Sequence, residues 1–297
     1  MSLRPAPADD AGVRALIRLA LLEDIGSGDL TTRATVPRTT QARGRVIARE
    51  PLVVAGMGLL DAILEELARL GDAGAGAASL TATERAPDGS RAARGATLCV
   101  LDGDAWGVLT LERTFLNFLG RLSGIATETA RIVGAVREAG CTTRILDTRK
   151  TTPGWRLLEK HAVACGGGSN HRMGLFDAVL IKDNHVIAAG GIAEAVRAAI
   201  ANAPDGVPIE VECDTLEQVR IALAAGATSV LLDNFTPEAV LEAVQWIGGR
   251  AEIEVSGGIT DENVVAYAKA GPDSISLGRL THSARAADVS MEVGLLV

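Results

Sequence analysis

The sequence predicts an α/β protein, an open α/β barrel of six to seven parallel strands preceded by an α+β domain. Three observations predict it. From Thr143 onward, short apolar runs alternate with helical stretches at spacings of about 20 to 30 residues, the rhythm of βα units. Each run is followed by a polar residue or a glycine: Asp147, Lys182, Glu212, Asp233, Ser256 and Gly278. Ahead of Thr143, strands and helices mix without any such repeat. A chain of 297 residues suits two domains. The first is expected over residues 1–122, joined by a strand-like C-terminal segment 286–297, and the second over 123–285.

Residues 1–10 lack the basic start and apolar core of a signal peptide and read as a frayed tail. Val13, Leu16, Ile17, Ala20 and Leu21 sit at helical spacing, so a helix opens the fold over 10–22. It ends in EDIGSGDLTT, where Gly26 and Gly28 force a turn and Asp24 and Asp29 can bond local backbone. Strand residues Val46, Ile47, Leu52, Val53 and Val54 follow, broken by Pro51, and then a helix from Met57 to Leu70. GDAGAGAAS is a low-complexity loop. Strands near 80–85 and 96–101 flank the Asp88-Gly89 turn. Two helices, Trp106–Leu122 and Glu128–Glu138, lead to the alternating half, with strands at 144–146, 178–181, 209–211, 229–232, 252–255 and 274–277.

Composition excludes several classes. No apolar run approaches the roughly 20 residues of a membrane span. A net charge of -8 with 3% aromatic residues argues against a nucleic-acid surface. Cys99, Cys141, Cys165 and Cys213 form no CxxC pair, so neither a zinc ribbon nor a disulfide framework is expected, and the protein reads as cytoplasmic.

Against that acidic background, Asp147 to His185 is a cationic island. It holds Arg149, Lys150, Arg156, Lys160, Arg172 and Lys182, with three of the four histidines. Charges at the ends of buried strands are costly unless something anionic meets them. In an α/β barrel those ends converge on one mouth, where chemistry is placed. The expectation is a pocket for a small, multiply anionic substrate. Arg149, His171 and Arg172 offer charge-assisted donors suited to carboxylates. Ser256, Gly257 and Gly258 leave backbone N–H groups for an anion, and Gly278 with His282 offers a second approach, a pattern suited to phosphate. Glu212 and Asp233 can bind Mg2+ or sugar hydroxyls, or simply cap helices. Lys182 has a rival use as a Schiff-base nucleophile. Arg113 can pair with Glu112 or with solvent. His161 and His185 read as structural.

DTRKTTPG, GGGSNHRMGL, IKDNH, EVECDTLEQ, LLDN, EVSGGI and ISLGRLTHS, in that order, closely resemble quinolinate phosphoribosyltransferase. EDIGSGDLTT and ERTFLNFLGRLSGIAT match upstream, so the resemblance runs from about Leu22 to Ser283. It implies an N-terminal α+β sandwich on an open barrel, and a dimer in which the first domain of one subunit covers the barrel mouth of the other. The implied reaction joins quinolinate to 5-phosphoribosyl 1-diphosphate with Mg2+, giving nicotinate mononucleotide, CO2 and diphosphate. The implied quinolinate ligands are Arg113 (across the interface), Thr148, Arg149, Lys150, His171, Arg172 and Lys182. Lys150, Glu212, Asp233, Ser256, Gly257, Gly258, Gly278 and His282 would serve the phosphoribosyl diphosphate, and Glu212 and Asp233 the metal. Catalytic work would fall to Lys150, Lys182, Glu212 and Asp233.

Three residues depart from the family pattern: Ser169, where a small apolar residue is expected, Ala164, where arginine is frequent, and Arg279, where alanine is frequent. Rival readings are a paralogue of the same fold with another acceptor, such as the molybdenum-transport-associated relatives, a Schiff-base aldolase using Lys182, and a non-catalytic sugar-phosphate binder.

Overall fold

The computed structural model describes residues 6–74 and 79–296. The first half of the expected frayed tail, residues 1–5, and the centre of the Gly/Ala loop, residues 75–78, lie outside the described residues. By internal packing the chain forms two compact units. One comprises 1–130, 151–167 and 281–297, and the other 131–150 and 168–280.

The first unit opens with α1 (Ala11–Ile25), which buries Val13, Ile17, Leu21 and Ile25 on one stripe. Asp10 caps it by accepting the N–H groups of Gly12 (2.9 Å) and Val13 (3.1 Å), so this end of the tail is ordered. Gly26 and Gly28 turn the chain at φ +53° and +126°. Asp29 then caps a short helix the periodicity had not suggested, α2 (Leu30–Thr35).

Four antiparallel strands form the sheet of this unit: β1 (Gln41–Ala48), β3 (Thr81–Thr83), β5 (Thr97–Asp104) and β12 (Val289–Leu295), in the order β12-β1-β5-β3. Alternate burial along β1 puts Ala42, Gly44 and Val46 inward and Arg43 and Arg45 outward. Those two arginines reach Asp102 on β5 (2.6 Å) and Glu292 on β12 (3.2 Å). The C-terminal strand β12 thus pairs with β1 of this unit. A smaller pair joins β2 (Leu52–Val53) to β4 (Arg91–Ala92), and α3 (Leu60–Ala68) packs on α1.

The two helices expected at 106–122 and 128–138 are one, α4 (Ala105–Glu138), 34 residues long. Ser123-Gly124 reads as a break but is a packing contact. A Cβ on Gly124 would stand 1.9 Å from the Arg285 carbonyl oxygen, so the glycine admits the C-terminal segment rather than ending the helix. Helix α5 (Arg156–Cys165) also belongs to this unit. Its His161 is buried, with Nε2 3.1 Å from Asp88 Oδ2 and 3.4 Å from Cys165 Sγ. Asp88 in turn accepts the Met57 N–H (2.8 Å), which makes His161 a tie within the core.

The second unit is the alternating half. Six strands, β6 (Arg144–Leu146), β7 (Val179–Ile181), β8 (Ile209–Cys213), β9 (Ser229–Asp233), β10 (Glu252–Ser256) and β11 (Ser274–Ser276), form one parallel sheet. Its order is β6-β11-β10-β9-β8-β7, with no ladder between the two outer strands among the described residues. This is the open, barrel-like sheet expected. Ser169, one of the departures from the family pattern, bridges Leu146 in parallel beside β6 and exchanges backbone bonds with Ile145 and Asp147. Helices α6 (Asp183–Ala189), α7 (Ile192–Asn202), α8 (Leu216–Ala224), α9 (Pro237–Ile247) and α10 (Val264–Lys269) alternate with the strands, and a short α11 (Arg279–His282) follows β11.

All four cysteines are free. Cys99, Cys165 and Cys213 are buried, while Cys141 is half-buried. Burial pushes the three buried thiols up to about 12, so they are inert at neutral pH.

Candidate active site

Parallel pairing carries the polar residues of the second unit to one end of the sheet. Asp147 follows β6, Lys182 follows β7, Glu212 is the fourth residue of β8, and Asp233 and Ser256 end β9 and β10 in mutual register.

Two guanidiniums stand close together here. Arg172 donates through Nη1 to the Ala178 carbonyl (3.0 Å), and burial together with the charge of Arg149 holds its guanidinium below its ordinary value. Like charges drawn together in a partly dry site lower their mutual cost when an anion arrives. Thr148 turns the segment that carries Arg149, its hydroxyl accepting the Lys150 N–H (3.0 Å).

Lys182 Nζ hydrogen-bonds Glu212 across neighbouring strands. Its side chain is 45% exposed, so the dry, isolated lysine that a Schiff-base mechanism requires is not what the fold provides. His185 is structural as expected, its Nδ1 accepting the Lys182 N–H (3.0 Å). Asp233 is pushed upward first by burial and then by Asp214, against the opposing charges of Lys182 and Lys150. The four groups expected to do catalytic work, Lys150, Lys182, Glu212 and Asp233, thus share one electrostatic neighbourhood.

Gly257 and Gly258 lie at φ +87° and +61°, backbone that favours glycine. A Cβ on Gly257 would fall 2.2 Å from Asn234 Oδ1, whereas one on Gly258 would meet nothing within 4 Å. The space over Gly258 suits a bound group. Arg279, another departure, is partly exposed and pairs with Asp261. In the first unit, His282 has Nδ1 2.6 Å from Ser283 Oγ, and Arg113 lies on the exposed face of α4. The Arg113 side chain is 63% exposed, with Glu112 at the 4.0 Å limit of ion pairing.

His171 departs from the role expected of it. Its Nδ1 accepts the Arg172 N–H (2.7 Å), and its Nε2 is 3.2 Å from Glu210 Oε2 and 3.5 Å from Glu254 Oε2. With both ring nitrogens so engaged, it ties Arg172 to the sheet rather than offering a donor to a ligand. The His171 N–H and Asn170 Nδ2 donate to Asp147, which fixes the same loop (3.0 and 2.5 Å). Reasoning from the strand ends missed Glu210 and Glu254. The signal was present in IEVEC and EIEVS, neighbouring patterns that each carry a glutamate below the one at the rim or beside it.

"Quinolinate phosphoribosyl transferase, C-terminal domain" matches residues 125–292, and the corresponding N-terminal domain matches 29–123. The chain is 44% identical over 284 residues to a nicotinate-nucleotide pyrophosphorylase [carboxylating] of Mycobacterium leprae, covering 94% of this chain and 96% of that one. A probable enzyme of the same name from Bacillus subtilis is 40% identical, at 95% and 94% coverage. The solved nicotinate-nucleotide pyrophosphorylase of Francisella tularensis superposes with a TM-score of 0.88 at 38% identity, covering 99% of each chain. Two family matches in tandem, relatives aligned almost end to end and a shared fold place this chain in the quinolinate phosphoribosyl transferase family.

Proposed function

We propose that this protein transfers the phosphoribosyl group of 5-phosphoribosyl 1-diphosphate to quinolinate and releases diphosphate and CO2, leaving nicotinate mononucleotide. The observation that carries the reading is the Arg149–Arg172 pair at the strand ends of a protein whose net charge is -8. Two guanidiniums that feel each other's charge suit an acceptor with two carboxylates.

The ring nitrogen of quinolinate already has a lone pair, so no general base is needed to make the nucleophile. Arg149, Arg172, Lys182, Thr148 and Lys150 hold the carboxylates and aim that nitrogen at C1 of the ribose. His171 acts through Arg172. The new N–C1 bond forms as the C1–O bond to diphosphate breaks, and Lys150 steadies the departing anion by charge. Glu212 and Asp233 fix the ribose hydroxyls, and Ser256, Gly257, Gly258, Gly278 and His282 take the 5-phosphate. N-glycosylation makes the ring nitrogen cationic, so the electron pair of the C–CO2 bond can be drawn into the ring. CO2 leaves and a proton takes its place, which orders decarboxylation after transfer.

Mg2+ fits the donor set: Asp233 and Glu212 offer hard oxygens, and the proximity of Asp214 and Asp183 to Asp233 favours a cation there. When bound, it supplies charge neutralisation for the diphosphate. We also propose a homodimer, with Arg113 of one subunit serving the other's acceptor site. Its exposure supports this, as do three apolar side chains left open on the second unit: Leu175 (78%), Phe176 (83%) and Ile187 (76%). A cytoplasmic location fits the four free thiols. No helix among the described residues is long and apolar enough to cross a membrane.

The test supplies quinolinate, 5-phosphoribosyl 1-diphosphate and Mg2+ to the purified protein and follows nicotinate mononucleotide and CO2, with nicotinate as a parallel acceptor. Product from quinolinate alone is expected. Diphosphate release against another acceptor, with none against quinolinate, would hand the reading to the paralogue. Arg149→Ala should raise the KM for quinolinate by about 10- to 100-fold, the loss of a charge-assisted contact. Glu212→Ala should lower kcat instead.

A further inference from the structure

Behind the two arginines lies a group that the proposed reaction does not use. Glu254, the third residue of β10, is 4% exposed, and its Oε1 has no hydrogen-bond partner. Glu210, on β8, and Glu254 both face His171 Nε2, and the three ligand atoms lie within 4.8 Å of one another. Groups of this kind often hold a metal. Here the ring argues otherwise. A neutral imidazole bound to a metal through Nε2 carries its proton on Nδ1, yet Nδ1 accepts the Arg172 N–H at 2.7 Å. With Nδ1 so occupied, His171 presents Nε2 as a donor between two carboxylates.

Two buried carboxylates facing one donor cannot both stay ionised without cost. The more deeply buried of the two is the one with an unpartnered oxygen. Burial and then the charge of Glu210 push Glu254 up to about 7, against the opposing pull of His171, the Ser276 hydroxyl and Arg144. Those four are the polar and charged groups that face it, from β8, the loop between α5 and β7, β11 and β6. Arg172 feels the charge of Glu210, which joins this cluster to the anion site.

We propose that Glu254 is a positioning residue for the acceptor site, holding a proton so that a single negative charge, not two, lies behind Arg149 and Arg172 while His171 keeps the tautomer that fixes Arg172. This rests on the reading of those arginines as the quinolinate site. Loss of that proton at alkaline pH adds a negative charge close to where a dianion binds, and quinolinate affinity falls. The ribosyl half of the reaction, built on other strand ends, does not change.

The experiment compares the wild-type protein with Glu254→Gln, which keeps the shape of the protonated acid and cannot ionise. KM for each substrate and kcat are measured from pH 6 to 8.5, and quinolinate binding is measured by calorimetry over the same range. In the wild type, the KM for quinolinate should rise by about five- to tenfold across that range, as one added charge screened at a protein interior predicts. The Glu254→Gln variant should match the wild type at pH 6 and show a flatter rise, with kcat and the KM for 5-phosphoribosyl 1-diphosphate moving together in both proteins. Superimposable profiles would overturn the proposal, as would a Glu254→Gln variant that binds quinolinate tenfold more weakly at pH 6. Infrared difference spectra at pH 6 give an independent reading, since a protonated-carboxyl band present in the wild type and lost in the variant is expected, and its absence would count against us. A wild type that binds quinolinate yet makes no nicotinate mononucleotide would sink the functional reading alone, while calorimetry still decides the role of Glu254.

Discussion

A buried acid whose folded form holds its proton also leaves a mark on stability. Glu254 has an ordinary value of 4.5 and is held at about 7 in the fold. Between those values the folded protein binds more protons than the unfolded chain, so stability falls as pH rises. The contribution is fully present below 4.5, is lost through the window up to 7, and is flat above it. Its size is on the order of 3 kcal/mol. Thermal denaturation of Glu254→Gln against the wild type should show curves that meet at acid pH, separate between pH 4.5 and 7 and run parallel above, with the variant the more stable there. A constant offset across the range would mean that the carboxyl does not titrate in this window. The same residue shows where sequence reading runs out. Lys182, Glu212 and Asp233 are legible because a charge that follows an apolar run has few reasons to be there. Glu254 sits inside its run, where an alternating pattern makes it look like a solvent-facing position. Only the sheet's neighbours reveal that it points at Glu210.

At the scale of the element, strand placement was legible and helix continuity was not. Apolar runs separated by turn residues marked all six parallel strands within one or two positions. The 34-residue α4 was expected as two helices, Trp106–Leu122 and Glu128–Glu138, and Gly124 falls between them. What the glycine does instead depends on Arg285, which lies 161 residues away and which no local pattern can report. Alanine at a helix interior is ordinarily worth up to about 1 kcal/mol over glycine. A Cβ 1.9 Å from a carbonyl oxygen should outweigh that gain, because overpacking costs about 1–3 kcal/mol and the obstacle is backbone. Gly124→Ala should therefore lower the melting temperature, and an unchanged or raised value would contradict the close approach.

At the scale of the whole molecule, the placement of Arg113 makes a prediction that needs two different copies. If each acceptor site borrows this residue from the other subunit, Arg113→Ala and Glu212→Ala homodimers should both be poorly active. Mixing them under exchange should restore activity, since a heterodimer carries one site with neither lesion. Recovery approaching a quarter of the wild-type rate is expected for random exchange of two chains with two sites per dimer. No recovery, with exchange verified by tagged subunits, would place Arg113 at its own chain's site or at none.

The sheet order β12-β1-β5-β3 has a consequence for how the protein is made. Strand β1 leaves the ribosome well before its partner along Ala42–Ala48, β12, which is translated only after the whole parallel sheet. Until then, one side of β1 presents unpaired backbone groups to solvent while the parallel sheet of 144–276 emerges. Nascent chains of this protein should accordingly recruit ribosome-associated chaperones until β12 emerges and closes the edge.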